Sequence, residues 1–255
     1  MHITNPFSMA QLSNNEIKSI KALASKKYRD ETGLFAVEGE KMVREALASR
    51  FEVTAVYRRD EIGEDAMARI SQLSSPSPAL AVVRRPADID DGPAAPGPGL
   101  YLVLDSIRDP GNLGTIIRIA DWFGISSVLA SRDTVELFNP KVVQATMGAI
   151  FRVGFHYVDI QEFASSVLKQ NGKVYGTFLD GQDMYSRELD PGLDRPVAIV
   201  IGNEANGISA GMEALVSDRL FIPPYPVGDP GSESLNAAVA TAVTVAEFRR
   251  RISNR

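Results

Sequence analysis

The chain has 255 residues, of which 44% are hydrophobic and 23% charged, with 20 Gly, 15 Pro and no Cys. This composition is typical of a folded globular protein and excludes disordered or collagen-like architectures. The lack of Cys excludes disulfide scaffolds, thiolate metal sites and cysteine nucleophiles. With only two His, we expect no metal site. Because the sequence contains neither a signal-peptide pattern nor an apolar run of about 18 residues, we expect a cytoplasmic protein.

The formal net charge of −5 gives no overall positive field that would attract nucleic acid. A local basic segment spans residues 16–29, where a single acidic residue, Glu16, accompanies Lys18, Lys21, Lys26, Lys27 and Arg29. Charge alone favours a solvated helix face here over a nucleic-acid contact.

The segment 86–99, PADIDDGPAAPGPG, has the Pro and Gly content of an interdomain linker. Residues 1–85 before it are predicted to form a small α/β domain. Their spacing predicts helices over 13–25 and 41–49 and strands over 34–37, 53–57 and 80–83.

Strand and helix patterns alternate after the linker, over residues 100–255, beginning with the apolar run 100–104. Further strands are expected at 125–130, 153–158, 173–179, 197–201 and 220–222, and helices at 112–123, 141–150, 162–170, 212–216 and from about 235. Repeated strand–helix units predict an α/β fold with a mostly parallel sheet and helices on both faces.

Ligands of such sheets bind beyond the carboxyl ends of the strands, and three of these ends are unusual. The first reads DSIRDPGNLGTIIR, from Asp105 to Arg118. Asn112 is either a helix cap or a site residue, while Arg118, among apolar neighbours, needs an anionic partner or a route to solvent. No GxGxxG or GK[ST] pattern follows the strand, which disfavours a dinucleotide-dependent oxidoreductase.

The second end, IVIGNEANGIS, places Gly202, Asn203 and Glu204 directly after an apolar strand. Gly202 would let a ligand approach the backbone, although a simple turn at Asn206-Gly207 explains the same pattern. The third end, LFIPPYPVGDPGSESLN, is a stiff Pro-rich loop before a helix, where Ser234 and Asn236 are either caps or site residues.

Together and in this order, the three ends resemble the motifs of the SpoU/TrmH family of RNA ribose 2′-O-methyltransferases. The matching positions are Asn112, Gly114 and Arg118; Ile201, Gly202, Asn203, Glu204 and Gly207; and Ile222, Pro223, Ser234, Leu235 and Asn236. The segment 139–153 is also similar to these enzymes, and residues 21–47 resemble a small RNA-binding domain related to ribosomal proteins. The third motif is about four residues longer than usual, which predicts an extended loop around Tyr225 and Asp229.

The resemblance implies a C-terminal trefoil knot, a homodimer and S-adenosylmethionine as cofactor. It implies cofactor contacts from Thr177, Leu179, Ile201, Gly202, Asn203, Ile222 and Leu235. It also implies catalytic roles for Asn112, Arg118, Glu204, Ser234 and Asn236. Because a guanidinium stays protonated, we interpret Arg118 as a clamp for the target phosphate rather than as the base.

The candidates for RNA contact are Lys26, Lys27, Arg29 and Arg118. Ribosomal RNA is the favoured substrate, because the N-terminal domain resembles those of ribosomal RNA enzymes. Transfer RNA as the substrate, or a non-catalytic role in ribosome assembly, are the alternatives.

Overall fold

The computed structural model describes residues 12–90, 92, 95–226 and 234–253. The chain forms two compact units. The first contains the residues up to Pro86 together with Phe138–Phe151, and the second contains Ala87–Leu137 and the residues from Arg152 onward. The sequence predicts one domain over residues 100–255. The segment Phe138–Phe151 instead groups with the first unit. The reason is aromatic packing: the rings of Phe138 and Phe35 lie 4.6 Å apart.

The first unit is built on a three-stranded antiparallel sheet of order β1-β3-β2. Its strands are β1 (Leu34–Glu38), β2 (Val53–Arg58) and β3 (Ala79–Arg84). Its helices are α1 (Asn14–Ala22), α2 (Lys26–Thr32), α3 (Glu40–Leu47), α4 (Arg59–Ile62), α5 (Glu64–Ile70) and α7 (Pro140–Thr146). Helix α1 begins with a reciprocal capping box between Ser13 and Glu16, and its apolar side packs with α5 into a buried cluster that includes Ile17, Ile20 and Ile70.

The second unit contains a six-stranded sheet of order β6-β5-β4-β8-β7-β9 in which every pairing is parallel. Its strands are β4 (Gly99–Leu104), β5 (Ser127–Ala130), β6 (Phe155–Tyr157), β7 (Lys173–Asp183), β8 (Pro196–Ile201) and β9 (Asp218–Phe221). Its helices are α6 (Pro110–Trp122), α8 (Ile160–Lys169), α9 (Ala210–Glu213) and α10 (Ala237–Ser253). The predicted parallel α/β sheet is confirmed, and its carboxyl edge carries all three unusual strand ends.

Two expectations about chain segments need correction. The helix predicted over 141–150 ends at Thr146, because Met147 adopts a left-handed φ of 52°, and a short 3-10 turn follows at Ala149–Phe151. The segment 86–99 is not purely a linker, since Ala87–Asp90 form a 3-10 turn and Gly99 already belongs to β4. Asp91, Pro93 and Ala94 lie outside the described residues, as does 227–233, where the extended loop was expected. Among the helices that the structure describes, none combines the length and apolarity needed to cross a membrane.

Arg29 does not form an RNA-facing surface, contrary to the sequence-based prediction. Only 2% of this residue is exposed, and its Nη1 donates hydrogen bonds to the carbonyl oxygens of Leu23 at 2.7 Å and Ala24 at 2.9 Å. These carbonyls lie where α1 ends and would otherwise lack partners. The guanidinium is therefore a structural group that joins α2 to the end of α1.

We expect Arg29→Met to lower the free energy of unfolding by about 1–3 kcal/mol, because the buried carbonyls of Leu23 and Ala24 lose their donor. The matched control is Lys26→Met on the same helix, since Lys26 is exposed and pairs only with Asp30 at the surface. That control should change stability by less than about 0.5 kcal/mol. Urea titration of both variants measures the difference, and equal stabilities would contradict the structural role of Arg29.

Candidate active site

The start of α6 leaves the side chain of Asn112 available for the site. Asp109, not Asn112, is the N-cap, and its Oδ1 accepts from the backbone N–H of Asn112 at 2.7 Å. Pro110 is the first helical residue, as is common where no backbone donor is needed. The cap interpretation of Asn112 is therefore wrong, and this buried side chain makes its hydrogen bonds elsewhere.

Asn112 joins the other two strand ends through its amide. Its Nδ2 donates to Glu204 Oε1 at 2.9 Å, and its Oδ1 accepts from Asn236 Nδ2 at 2.8 Å. Asn236 uses its own Oδ1 to cap α10, accepting from the backbone N–H groups of Ala238 and Val239 at 3.0 and 3.3 Å. Asn236 is thus a helix cap and a member of this array at once. We call Asn112, Glu204 and Asn236 the amide–carboxylate array.

Glu204 is the anionic end of the array. Its partial burial alone would raise the pKa of the carboxyl. Hydrogen bonds from the Asn112 side chain and from backbone N–H groups, including those of Arg108 and Asp109, outweigh this effect. The pKa of Glu204 is therefore lowered below its ordinary 4.5. Glu204 is consequently ionised at neutral pH. An ionised carboxylate accepts only, so it fixes the orientation of the Asn112 amide.

The turn that carries Glu204 is closed by its own hydrogen bonds. Asn203 and Gly207 exchange backbone bonds of 2.9 Å, and Asn203 Nδ2 donates to the carbonyl of Ser106 at 2.7 Å. Gly202 has a structural role besides the predicted one, because a Cβ there would lie 2.3 Å from the carbonyl carbon of Gly207. Glycine at this position permits the return of the turn itself. Backbone and side-chain hydrogen bonds therefore fix the path of this turn.

A pocket of about 660 Å³ lies beside the array, at the carboxyl ends of β7, β8 and β9. All seven residues predicted to contact the cofactor line it, together with Glu204, Ser234 and Asn236. Leu179 and Leu235 leave 69% and 47% of their surfaces exposed there. Exposed apolar side chains around a concave site are typical of a surface that a ligand covers.

The residues of this pocket suit S-adenosylmethionine. The volume lies within the range of small-molecule sites, and the lining combines apolar side chains with polar strand ends, as an adenosine requires. The residues that would hold it are Thr177, Leu179, Ile201, Gly202, Asn203, Ile222 and Leu235. In the part of the chain that is described, no group of three or more His, Asp or Glu residues is arranged to hold a metal ion.

Arg118 is not one of the hydrogen-bonded members of the array, and the basic residues of the N-terminal segment belong to the other compact unit. Arg118 is exposed on α6, six residues after Asn112, which places it about 9 Å further along the helix axis. Its guanidinium makes no hydrogen bond or ion pair with any residue that the structure describes. Of the two alternatives that the sequence left for Arg118, an anionic partner or a route to solvent, the structure shows the second. Lys26 and Lys27 are exposed on α2 and pair with Asp30 and Glu31.

Sequence reasoning missed a second pocket, of about 840 Å³, on the other side of the 203–207 turn. Asp105, Arg108, Asp109, Asp133 and Glu204 are among its lining residues, and Arg108 pairs with Asp133 at 2.7 Å. It also missed Asp109 as the cap, although Asp before Pro is a recognisable helix start.

Residues 99–246 match the SpoU rRNA Methylase family, and residues 14–71 match the MRM3-like substrate binding domain. The chain belongs to the SpoU rRNA methylase family. The match spans the three strand ends that meet at the amide–carboxylate array. The predicted enzyme class, an S-adenosylmethionine-dependent RNA methyltransferase, is thereby confirmed.

Individual relatives agree with this assignment. The 23S rRNA (guanosine(2553)-2′-O)-methyltransferase RlmP of Bacillus subtilis is 30% identical, over 92% of this chain and 96% of its own. The mitochondrial rRNA methyltransferase 3 of Xenopus laevis is 28% identical, over 93% of this chain and 74% of its own.

Solved structures show the same similarity. A TrmH-family protein from Porphyromonas gingivalis has 38% identity and a TM-score of 0.82, over 95% of this chain and 100% of its own. The AdoMet-bound rRNA methyltransferase of Sinorhizobium meliloti has 28% identity and a TM-score of 0.78, over 95% of this chain and 98% of its own.

Two substitutions of Asn236 separate its roles in this SpoU enzyme. Asn236→Asp keeps the cap acceptor but replaces the donor to Asn112 by an acceptor, so we expect stability to fall by about 1–3 kcal/mol and the single-turnover methylation rate to fall about tenfold or more. Asn236→Ala also removes the cap acceptor, which alone contributes about 1 kcal/mol of stability. Thermal melting and single-turnover assays measure the two effects. Full activity of Asn236→Asp would show that the array is dispensable.

Proposed function

We propose that this protein transfers a methyl group from S-adenosylmethionine to a ribose 2′-hydroxyl of ribosomal RNA. The amide–carboxylate array at the edge of the cofactor pocket carries the proposal. The bound cofactor would supply an electrophilic methyl group. Two amides beside that group, held in fixed orientation by an ionised carboxylate, are suited to position a ribose rather than to perform redox or metal chemistry.

The array leaves donors free for the substrate. An Asn side chain has two N–H donors, and the array uses one from Asn112 and one from Asn236. The remaining N–H of each amide can bind ribose or phosphate oxygens. Ser234, which lines the same pocket, can add a hydroxyl donor. Substrate binding therefore requires no rearrangement of the bonds that orient the array.

Arg118 is proposed to clamp the phosphate of the target nucleotide. A guanidinium stays protonated, so it cannot readily accept the proton of the 2′-hydroxyl as the new C–O bond forms. It can bind a phosphate with two parallel hydrogen bonds and so orient the hydroxyl and a neighbouring proton acceptor. Its exposure and lack of an internal partner among the described residues agree with binding a group from outside this chain.

A homodimer is proposed as the active form. Helices α6 and α10 pack against each other, and their outer surfaces expose Trp122 by 85% and Val239 by 48%. Large exposed apolar residues on neighbouring helices favour burial against a second copy of this chain. In such a dimer, Arg118 would complete the site of the partner subunit, because it is not joined to the array of its own chain.

The trefoil knot implied by the family is also part of the proposal. After β9, at one edge of the sheet, the chain returns to place α10 on α6, which follows the central strand β4. The hydrogen bond between Asn236 and Asn112 lies at the end of this return. This path supports a threaded C-terminal segment.

The N-terminal unit is proposed to bind the RNA. Its match to a substrate binding domain supports this role, and relatives that share both matched regions have ribosomal RNA in their names. Lys26 and Lys27 are the candidates in this unit for contact with the RNA phosphate backbone, because Arg29 is buried.

Methylation of RNA from cells that lack the protein tests the substrate. We expect tritium from labelled S-adenosylmethionine to enter ribosomal RNA, or an assembly intermediate that contains it, and to resist alkali as a 2′-O-methylated dinucleotide. The Asn112→Ala variant is the matched control and should transfer no label. Label in transfer RNA would overturn the ribosomal target. The lack of label in every pool, with S-adenosylmethionine binding intact, would favour a non-catalytic assembly factor.

Heterodimers of two inactive variants test the role of Arg118. If Arg118 acts on the partner's site, a dimer of one Arg118→Ala and one Asn112→Ala chain contains one complete site, so purified heterodimers should recover about half of the wild-type activity. If Arg118 acts within its own chain, neither site is complete. Inactive heterodimers would contradict the shared site, and a monomeric mass in sedimentation would contradict the dimer.

A further inference from the structure

One wall of the cofactor pocket is a loop that leaves the sheet and returns to it. Strand β7 pairs with β9 up to Thr177 opposite Leu220, and the pairing resumes at Gln182, again opposite Leu220. Residues 178–181 are thus a bulge within β7, between two paired positions, and we call this bulge the 178–181 loop. Phe178 and Leu179 of this loop line the pocket. The position of the loop therefore determines the shape of the site.

The inner side of the loop is held by packing. Phe178 packs against the core of the second unit, and a Cβ at Gly181 would lie 2.6 Å from the carbonyl carbon of Leu220. The two ends of the loop are consequently pressed against the sheet. Asp180 is the charged residue of the 178–181 loop, and its side chain is exposed. Because packing does not hold this side chain, it needs an ion-pair partner outside the loop to fix its position.

That partner is Arg219 on β9. Its guanidinium carbon lies 3.6 Å from the centroid of the Phe178 ring, and its two terminal nitrogens bind Asp180 and Glu213. Glu213 belongs to α9, which follows the 203–207 turn, and Arg219 precedes Ile222 by three residues. One guanidinium therefore connects the 178–181 loop and α9 to β9. Isolated surface ion pairs contribute little to stability. The Arg219 guanidinium instead stacks on an aromatic ring and pairs with two carboxylates, and such a network holds its members more firmly.

We infer that Arg219 is a positioning residue for S-adenosylmethionine: it holds the 178–181 loop, and with it Phe178 and Leu179, in the conformation that receives the cofactor. Arg219 does not line the pocket, so it acts through the residues that do. Its role is distinct from that of the amide–carboxylate array, which faces the ribose. The inference requires only the cofactor and does not depend on which RNA is methylated.

Calorimetric titration of the full-length protein with S-adenosylmethionine tests the inference without RNA. We expect Arg219→Gln to weaken the affinity by about three- to tenfold, because the loop loses both its stack and its ion pairs. Arg219→Lys should give an intermediate affinity, since an ammonium keeps a charge but cannot stack as a plane. Asp180→Asn should weaken the affinity as well, and the double variant with Arg219→Gln should be no worse than the weaker single variant.

The matched control is Arg195→Gln. Arg195 has a similar exposure, 42% against 35%, and pairs with Asp190 at 2.7 Å, away from the 178–181 loop. This variant should bind S-adenosylmethionine as the wild type does. If Arg219→Gln lowers the melting temperature but not the affinity, or if the control weakens the affinity equally, the inference is wrong. Should Arg219→Gln fail to fold, the exposed Asp180→Asn variant decides in the same way.

Discussion

The site depends on the side-chain amide of Asn112, which joins its own segment to two others that are distant in the sequence. Asn112 follows β4, Glu204 follows β8, and Asn236 begins α10, yet a donor and an acceptor on one side chain join all three. Because Glu204 is ionised and accepts only, and because Asn236 is committed to capping α10, the amide has a single satisfactory orientation. Capping α6 with Asp109 leaves Asn112 free for this task. A feature of helix stability and a feature of the active site thus lie within one turn of the same helix.

The parallel sheet makes this arrangement possible. The ends of β4, β8, β7 and β9 lie at one edge, so that segments distant in the sequence converge there. These strand ends contribute different kinds of chemical group to the site. The ends of β7 and β9 supply mainly apolar walls for an adenosine, while the ends of β4 and β8, together with Asn236 after β9, supply the charged and amide groups. The closed turn at 203–207 separates the cofactor pocket from the second, more acidic pocket.

The alternation of apolar runs in the sequence was enough to predict the parallel sheet, most of its strands and the edge at which the site lies. It could not distinguish Asp109 from Asn112 as the cap, because both are good capping residues three positions apart. Nor could it show that Arg29 is buried, since charge patterns do not report the carbonyl groups at the end of a neighbouring helix. The bond between Asn112 and Glu204 spans 92 positions, and no periodicity contains information about such a contact. Helices α2, α4 and α5 were missed because they are short and highly charged.

The inclusion of Phe138–Phe151 in the first unit has a consequence for the order in which the protein is made. A ribosome releases residues up to Pro86 well before it has synthesised the segment whose Phe138 and Phe151 pack against Phe35 and Phe51. During that interval Phe35 and Phe51 lack their ring contacts with Phe138 and Phe151. The N-terminal unit can therefore reach its final packing only after β4, α6 and β5 have been translated. The packing of the first unit thus depends on a segment that is translated after part of the second unit.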